Sequence, residues 1–157
     1  MDDAPPPSRA EDLRALALVI HDLSWRIARF GPAQVGVTPL PASELAVLRT
    51  VMDQPGRSVS EVAQSLAMQQ SNASAAVRSL VERGLVDKRP DANDRRISLL
   101  EPTPRALSER SQIEDAIAAT VSAALETLSA DHAAALREAV PAMQALTEQV
   151  GVQAWRL

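Results

Sequence analysis

The segment SVSEVAQSLAMQQSNASAAVRSLVERGLVDKRPDANDRRISLLEPT, residues 58–103, decides the fold of this 157-residue chain. It contains a short amphipathic helix, a tight turn, a second helix and two short strands joined by a turn, in that order. This is the order of a winged helix-turn-helix, in which one helix positions a second helix in a groove of DNA. The first hypothesis is therefore sequence-specific binding of double-stranded DNA.

Both helices of this segment have recognisable ends. Either Ser58 or Ser60 can cap the first helix, and Glu61 lies three residues after Ser58, as in a capping box. The second helix begins after residues 68–70 and ends at Gly84, in the position of a C-terminal glycine. Its apolar side chains are expected to point inward, Val81 among them. The side chains predicted to point outward are those of Ser71, Asn72, Ser74, Ala75, Arg78 and Ser79.

The outward side chains of the second helix are suited to reading base edges in the major groove. Asn72 can pair with adenine and Arg78 with guanine. Ser58 and Ser60 flank a helix N-terminus, which favours a phosphate oxygen, although simple capping explains them equally well. The complete predicted DNA-binding set is Ser58, Ser60, Gln70, Ser71, Asn72, Ser74, Ala75, Arg78, Ser79, Arg95 and Arg96. The alternative for this helix face is an ordinary solvated surface.

The strand-like runs, residues 85–89 and 96–100, flank a segment of turn composition and predict a hairpin. Arg95 and Arg96 lie beside its turn, where a guanidinium can reach into the minor groove. Asp94 is expected to orient one of these arginines through a charge-assisted hydrogen bond. The spacing alone does not separate their roles, and a solvated loop is the alternative.

The rest of the chain is predicted to be helical. Residues 1–8 have no periodicity and are expected to form a disordered lead-in. Residues 9–32 and 104–157 are expected to form a helical dimerisation region around a winged helix-turn-helix lobe, residues 40–103. The apolar residues of the first helix step by three and four, which is the spacing of a helix that buries one narrow seam. This helix should stop at Gly31-Pro32. These seam residues are Leu13, Leu16, Ile20, Leu23, Ile27 and Phe30.

The C-terminal part contains its own helix signals. Thr103 and Pro104 form an N-cap and first-position pair for a long helix that should run to about Leu128. Ser129 is expected to cap the last helix, and Pro141 should make that helix kink or restart. The predicted fold class is thus mainly α with a small β-hairpin wing.

Composition excludes several classes of protein. The chain has no cysteine, so a disulfide framework or a thiolate metal site is excluded, and His21 and His132 lack zinc-ligand spacing. No serine lies in a nucleophile-elbow context, so we expect no enzyme, no cofactor and no metal. No apolar run is long enough to span a bilayer, and the acidic, proline-rich N-terminus is unlike a secretory peptide, so a cytoplasmic protein is expected.

The charge is unevenly distributed. The net charge of the chain is −4, but residues 70–105 contain seven arginine or lysine side chains against five carboxylates. A local basic surface is what a protein that reads DNA requires, whatever the charge of the whole chain.

The order of elements resembles that of the MarR family of bacterial transcriptional regulators over nearly the whole chain. The sharpest resemblance is the wing, where the family pattern Asp-x-Arg-x-x-x-Leu-x-Leu-Thr falls on Asp94, Arg96, Leu100 and Thr103. The segment LVERGLV, residues 80–86 at the end of the second helix, also resembles the family. The sequence departs from the family at Pro102, where leucine is usual, and at Ala106, where glycine is frequent.

The resemblance implies a homodimer in which the N-terminal and C-terminal helices of two chains interlock and each chain places a recognition helix on a pseudo-palindromic operator. It implies that Arg95 enters the minor groove and that Arg96 is held structurally. It also implies an effector pocket lined partly by the first helix, where His21, Trp25 and Arg29 share one side. A packed tryptophan beside a histidine is, however, more often part of an interface or core.

The resulting hypothesis is a homodimeric regulator of transcription, taken as a repressor, that a small-molecule effector releases from duplex DNA. Two alternatives remain open. A winged-helix module that binds proteins would expose an apolar patch on the second helix. A catalytic domain, which the sequence supports weakly, would need converging titratable groups.

Overall fold

The computed structural model describes residues 9–92 and 94–154, apart from the side chains of residues 29, 30 and 151–154. The predicted lead-in, residues 1–8, lies outside the described residues. The described helices are α1 (Arg9–Gln34), α2 (Ala42–Asp53), α3 (Val59–Ser65), α4 (Gln70–Glu82), α5 (Pro104–Glu126), α6 (Ala130–Glu138) and α7 (Val140–Ala154). The described strands are β1 (Arg57–Ser58), β2 (Val86–Pro90) and β3 (Ser98–Pro102). The fold is mainly helical with a small antiparallel sheet, as the sequence predicts.

The region from α2 through β3, called the winged-helix lobe below, encloses the main apolar core. α2 packs against α4, α4 packs against α3, and the sheet closes the same core. Burial of these side chains removes apolar surface from water and stabilises the lobe. The largest fully buried side chains are Leu80, Leu100, Val47, Val51, Val62, Val77 and Val86.

The helices of the lobe end where the sequence predicts. Ser58 is the N-cap of α3 and forms the complete capping box with Glu61. Gly84 follows α4 with a φ of +68°, which a glycine adopts without strain. The Gly84 amide donates to the Val81 carbonyl and the Leu85 amide donates to the Leu80 carbonyl, both at 2.9 Å. This is a Schellman motif, which turns the chain sharply from α4 into the wing.

The sheet has three strands in the order β1-β3-β2, one more than the predicted hairpin. The additional strand is the two-residue β1, in which Arg57 pairs with Leu100 and Ser58 with Leu99. A strand this short carries no alternation pattern, so the sequence gives no signal for it. β3 begins at Ser98 rather than at residue 96, because residues 94–97 belong to the turn.

The first helix does not stop at Gly31-Pro32 as predicted. α1 continues to Gln34 and ends in a second Schellman motif, in which Gly36 has a φ of +69°. Gly31 is instead a contact residue: a Cβ at this position would lie 3.2 Å from Ile117 Cδ1 and 3.3 Å from Ile113 Cγ2. The glycine therefore allows α1 to approach α5 closely.

The C-terminal helices follow the predicted caps. Thr103 caps α5, Ser129 caps α6, and the chain restarts as α7 at Val140, next to Pro141. α5 ends at Glu126, two residues earlier than predicted. Within the described residues, no helix is both long and apolar enough to cross a membrane.

The helices α1, α5, α6 and α7, called the outer helices below, leave many apolar side chains exposed. Leu13 is 58% exposed, Leu16 is 53% exposed and Val19 is 64% exposed on α1. The exposed large apolar residues of α5 to α7 are Leu107, Val121, Leu128, Leu136, Val140, Met143, Leu146 and Val150. These helices present an apolar surface that the single chain does not cover.

Candidate DNA-binding surface

The solvent side of α4 is polar along most of its length. Ser71, Asn72, Ala75 and Arg78 are exposed, while Ser74 and Ser79 are half-buried. Its opposite side is buried in the core through Ala73, Ala76, Val77 and Leu80. The predicted inward position of Val81 is wrong, since this side chain is 37% exposed at the last turn of the helix. α4 therefore presents a face of hydrogen-bonding groups and small side chains that a base edge can approach.

A hydrogen bond joins the first residue of α4 to the preceding helix. Gln70 Nε2 donates to Ser60 Oγ at 3.0 Å, and both side chains are exposed. Two predicted DNA-binding residues from different helices are thus adjacent. The bond helps to fix the angle between α3 and α4, on which the presentation of a recognition helix depends.

Ser58 is engaged in the capping box. Its Oγ donates to Glu61 Oε2 at 2.7 Å and accepts from the Glu61 amide at 3.3 Å, while the Ser58 amide donates to the same carboxylate at 2.8 Å. The hydrogen bond from the Ser58 side chain, followed by that from its backbone, lowers the pKa of Glu61. The hydroxyl of Ser58 thus has a capping role in the free protein.

The turn of the wing is held by its own aspartates. Asp91 Oδ1 accepts from the Asp94 amide at 3.0 Å, and Asp94 Oδ1 accepts from the Arg96 amide at 2.9 Å. The Asp91 amide donates to the Ile97 carbonyl, and the Ile97 amide to the Asp94 carbonyl, both at 2.9 Å. The turn is therefore braced before any DNA is bound.

The Asp94 carboxylate accepts a hydrogen bond from a backbone amide and not from a guanidinium. The predicted charge-assisted bond to an arginine side chain is corrected by the structure, in which the Asp94 carboxylate binds the Arg96 amide. An aspartate followed two residues later by a backbone donor forms an Asx turn, which competes with the longer reach to a side chain. The side chains of Arg95 and Arg96 are both exposed beside this turn.

A shallow open groove adjoins the exposed face of α4, a feature for which the sequence gives no signal. It runs between the start of α2 and the middle of α4. Its lining residues are Ser43, Glu44, Met68, Asn72, Ala75 and Ala76. Glu44 is the charged group there, and it lies 3.4 Å from the Nε of Arg83 at the end of α4.

The predicted effector residues lie on the outer helix α1. His21 is exposed and Trp25 is 53% exposed, while the side chain of Arg29 lies outside the described part of the structure. Their role in binding an effector stays a prediction. Among the described residues, no group of three or more His, Asp or Glu side chains is arranged to hold a metal ion.

Comparison with known proteins relates this geometry to a family. The sequence model of the MarR family matches residues 35–97, which include α2, α3, α4 and most of the wing. No curated protein sequence matches the chain significantly.

Several solved structures resemble the chain along most of its length. The transcriptional regulator Tm0710 from Thermotoga maritima is 14% identical with a TM-score of 0.69, over 87% of this chain and 96% of that one. The multiple antibiotic-resistance repressor MarR from Listeria monocytogenes is 21% identical with a TM-score of 0.66, over 91% and 99%. A mutant of S. aureus MepR, bound to an oligodeoxyribonucleotide, is 15% identical with a TM-score of 0.63, over 85% and 96%.

The family and these structures belong to regulators and not to enzymes. The match of the family model covers the lobe from α2 to the turn of the wing, without β3, while the structural similarity extends to the outer helices. Residues 35–97 of this chain therefore match the model of the MarR family, and the chain along most of its length has the fold of these solved structures.

Proposed function

We propose that the protein is a cytoplasmic, homodimeric repressor that binds a pseudo-palindromic operator in duplex DNA and is released by a small-molecule effector. The observation that carries this proposal is the juxtaposition, on one lobe, of a polar recognition helix and a braced turn with two exposed arginines. Among the described residues, no other surface of the winged-helix lobe supports a second function equally strongly.

The recognition helix supplies sequence discrimination in this proposal. Asn72 and Arg78 are exposed and six residues apart along α4, so they can contact different base pairs of one major groove. Ser74 and Ala75, which lie between them away from the core, are small and let the helix backbone approach the bases closely. The polar face also argues against a protein-binding module, which requires an exposed apolar patch on this helix.

The wing supplies affinity. Arg95 and Arg96 lie on a turn whose backbone is already ordered, so little conformational entropy is lost when a guanidinium enters the minor groove. Contacts of this kind are sensitive to groove width more than to base identity. Arg95 is the residue that we assign to the groove, and Arg96 is the residue whose amide the Asp94 carboxylate binds.

A second copy of the chain is the partner that we assign to the outer helices. Their exposed apolar side chains are spread along α1 and from α5 to α7, which is more than an isolated soluble domain ordinarily leaves uncovered. A symmetric dimer would place two recognition helices about one helical turn of DNA apart, or roughly 34 Å. The operator would then have the same two-fold symmetry as the protein.

Release by an effector requires a ligand that favours a different separation of the two recognition helices. We assign the pocket to the side of α1 that carries His21, Trp25 and Arg29, where the second chain would close the site. An aromatic ring and a histidine could hold a planar, weakly acidic molecule there.

The test is fluorescence anisotropy on a duplex that the protein itself selects from a random pool, with a scrambled duplex of the same composition and a salt series as controls. We expect saturation at one dimer per duplex and affinity that falls steeply with salt. Equal binding to selected and scrambled duplexes would overturn sequence-specific recognition. If the protein enriches no sequence from the pool and another protein binds to α4, the chain is instead a protein-binding module.

A further inference from the structure

We propose that Arg105, in the first turn of α5, is a positioning residue for DNA recognition: it fixes the C-terminal end of the recognition helix to the outer helices and so sets the operator spacing that the dimer accepts. This inference rests on the proposed function. In the sequence, Arg105 is one of the basic side chains of residues 70–105. It belongs to neither the predicted DNA-binding residues nor the predicted effector residues.

The geometry of Arg105 places it at the end of α4 and not on its exposed face. Its Nη1 donates to the carbonyl oxygen of Arg83 at 3.2 Å, and its Nε donates to Glu109 Oε1 at 2.7 Å. Arg83 is the C-cap of α4, where backbone carbonyls lack helical partners and the helix dipole favours a cation. The Arg105 side chain therefore extends the C-terminal cap of α4 from a different helix.

The same end of α4 is held by two further contacts. Thr103 Oγ1, at the N-cap of α5, donates to the Gly84 carbonyl at 2.8 Å. On the other side, the Arg83 guanidinium faces Glu44 of α2, with 3.4 Å between Nε and Oε2. The side chain of Glu44 is only 13% exposed, so this carboxylate depends on Arg83 for its charge compensation.

The two ends of the recognition helix are thus held differently. Its N-terminus is joined to α3 by the Gln70–Ser60 bond, within the winged-helix lobe. Its C-terminus is joined to α5 by Thr103 and Arg105, and α5 in turn packs on α1. A rotation of α5 is therefore passed to the C-terminal end of α4, and the separation of two recognition helices depends on these bonds.

A direct phosphate contact is the alternative role for Arg105, whose side chain is 66% exposed. The two roles predict different effects of salt and of operator geometry. A lost phosphate contact weakens binding to every duplex and reduces the salt slope by about one per chain. A lost positioning contact leaves the salt slope unchanged and alters which half-site spacing is preferred.

The experiment compares Arg105→Gln with the matched control Arg110→Gln. Both arginines lie on α5 and pair with a glutamate four residues later, but Arg110 reaches Asp53 of α2 and not the recognition helix. Glutamine removes both the positive charge and the fork that binds two partners at once, and the control removes the same charge from the same helix. The probes are the duplex selected by the wild-type protein and versions with one or two base pairs added or removed between the half-sites.

For Arg105→Gln we expect roughly three- to ten-fold weaker binding to the best spacing, which corresponds to the loss of one solvent-exposed hydrogen bond. We expect a flatter spacing profile and an unchanged salt slope, with Arg110→Gln behaving as wild type in both measurements. An unchanged spacing profile, or a reduced salt slope, would overturn the positioning role while leaving the proposed function intact. Wild-type protein that selects no duplex would overturn the proposed function, and this inference with it.

Discussion

The winged-helix lobe and the outer helices differ in what they do with their apolar side chains. In the lobe, Val47, Leu80 and Leu100 are completely buried within one chain. On the outer helix α1, Leu13 and Leu16 are 58% and 53% exposed, although they recur with the spacing of a buried seam. The lobe completes its core within one chain, whereas the outer helices require another surface to cover them.

This contrast separates two kinds of stability. Burial within a chain stabilises the fold at any protein concentration, while burial between chains stabilises it by mass action. Mutations in the two regions should therefore respond differently to dilution. The predictions below test that difference first and then the finer contacts of the lobe.

The largest effect is expected from a cavity in the lobe. Leu80→Ala removes a fully buried side chain from the recognition helix and should lower the free energy of unfolding by about 2–5 kcal/mol. Urea denaturation at two protein concentrations measures it. The loss should be the same at both concentrations, and a strong dependence on dilution would contradict the assignment of this core to one chain.

The next effect is on assembly. Leu16→Glu places a charge in the apolar seam of α1 and should weaken the proposed dimer by about 2–4 kcal/mol. Sedimentation velocity over a dilution series measures the dissociation constant. Leu45→Glu is the matched control, because Leu45 is 41% exposed on α2 of the lobe. Equal association of both variants would show that α1 is not part of the interface.

Two arginines of the candidate DNA-binding surface, Arg78 on α4 and Arg95 on the wing, should have separable effects. Arg78→Ala should cost about 1–3 kcal/mol on the selected duplex and relax the preference over a scrambled one. Arg95→Ala should weaken both duplexes by a similar factor, because a minor-groove contact reports shape more than base identity. Anisotropy titrations at one salt concentration distinguish the two. If both variants lose affinity by the same factor on the selected and the scrambled duplex, α4 and the wing do not have the separate roles proposed for them.

A smaller effect tests which serine caps α3. Ser58→Ala removes the capping box and should lower the free energy of unfolding by about 1 kcal/mol. Ser60→Ala removes a hydroxyl that accepts from Gln70 and should change stability less. Thermal unfolding of the two variants beside wild type gives the comparison. A larger loss for Ser60→Ala would reverse the assignment.

The smallest effect concerns pH. The hydrogen bonds from Ser58 lower the pKa of Glu61, so its contribution to stability is present above the unfolded-state pKa and is lost as pH falls through the folded-state pKa. Glu61→Gln should therefore reduce the stability difference between neutral and acidic pH. Denaturation of both proteins from pH 7 downward measures this, and identical pH profiles would contradict it.

Much of the winged-helix lobe could be predicted because its signals are local. The Ser58–Glu61 spacing, Gly84 and the Thr103–Pro104 pair each specify a cap by the chemistry of neighbouring residues, and each cap is present. The polar face of α4 follows from helical periodicity alone. These features need no knowledge of the rest of the fold.

The errors have a common physical origin. Gly31-Pro32 looks like a stop, but a proline in the last turn of a helix removes only one hydrogen bond, and the approach of α5 requires a glycine at that site. The bonds of Arg105 to Arg83 and of Arg83 to Glu44 join residues far apart in sequence. No local pattern predicts contacts of this kind.

Thr103 also limits how this chain can change in evolution. Its one hydroxyl donates to the Gly84 carbonyl and accepts from the Ala106 amide, and the residue is only 8% exposed. Serine preserves both bonds, but valine, which has nearly the same shape, leaves a carbonyl and an amide without partners. We therefore expect descendants of this sequence to exchange threonine only for serine at this position, even where the wing and the operator diverge.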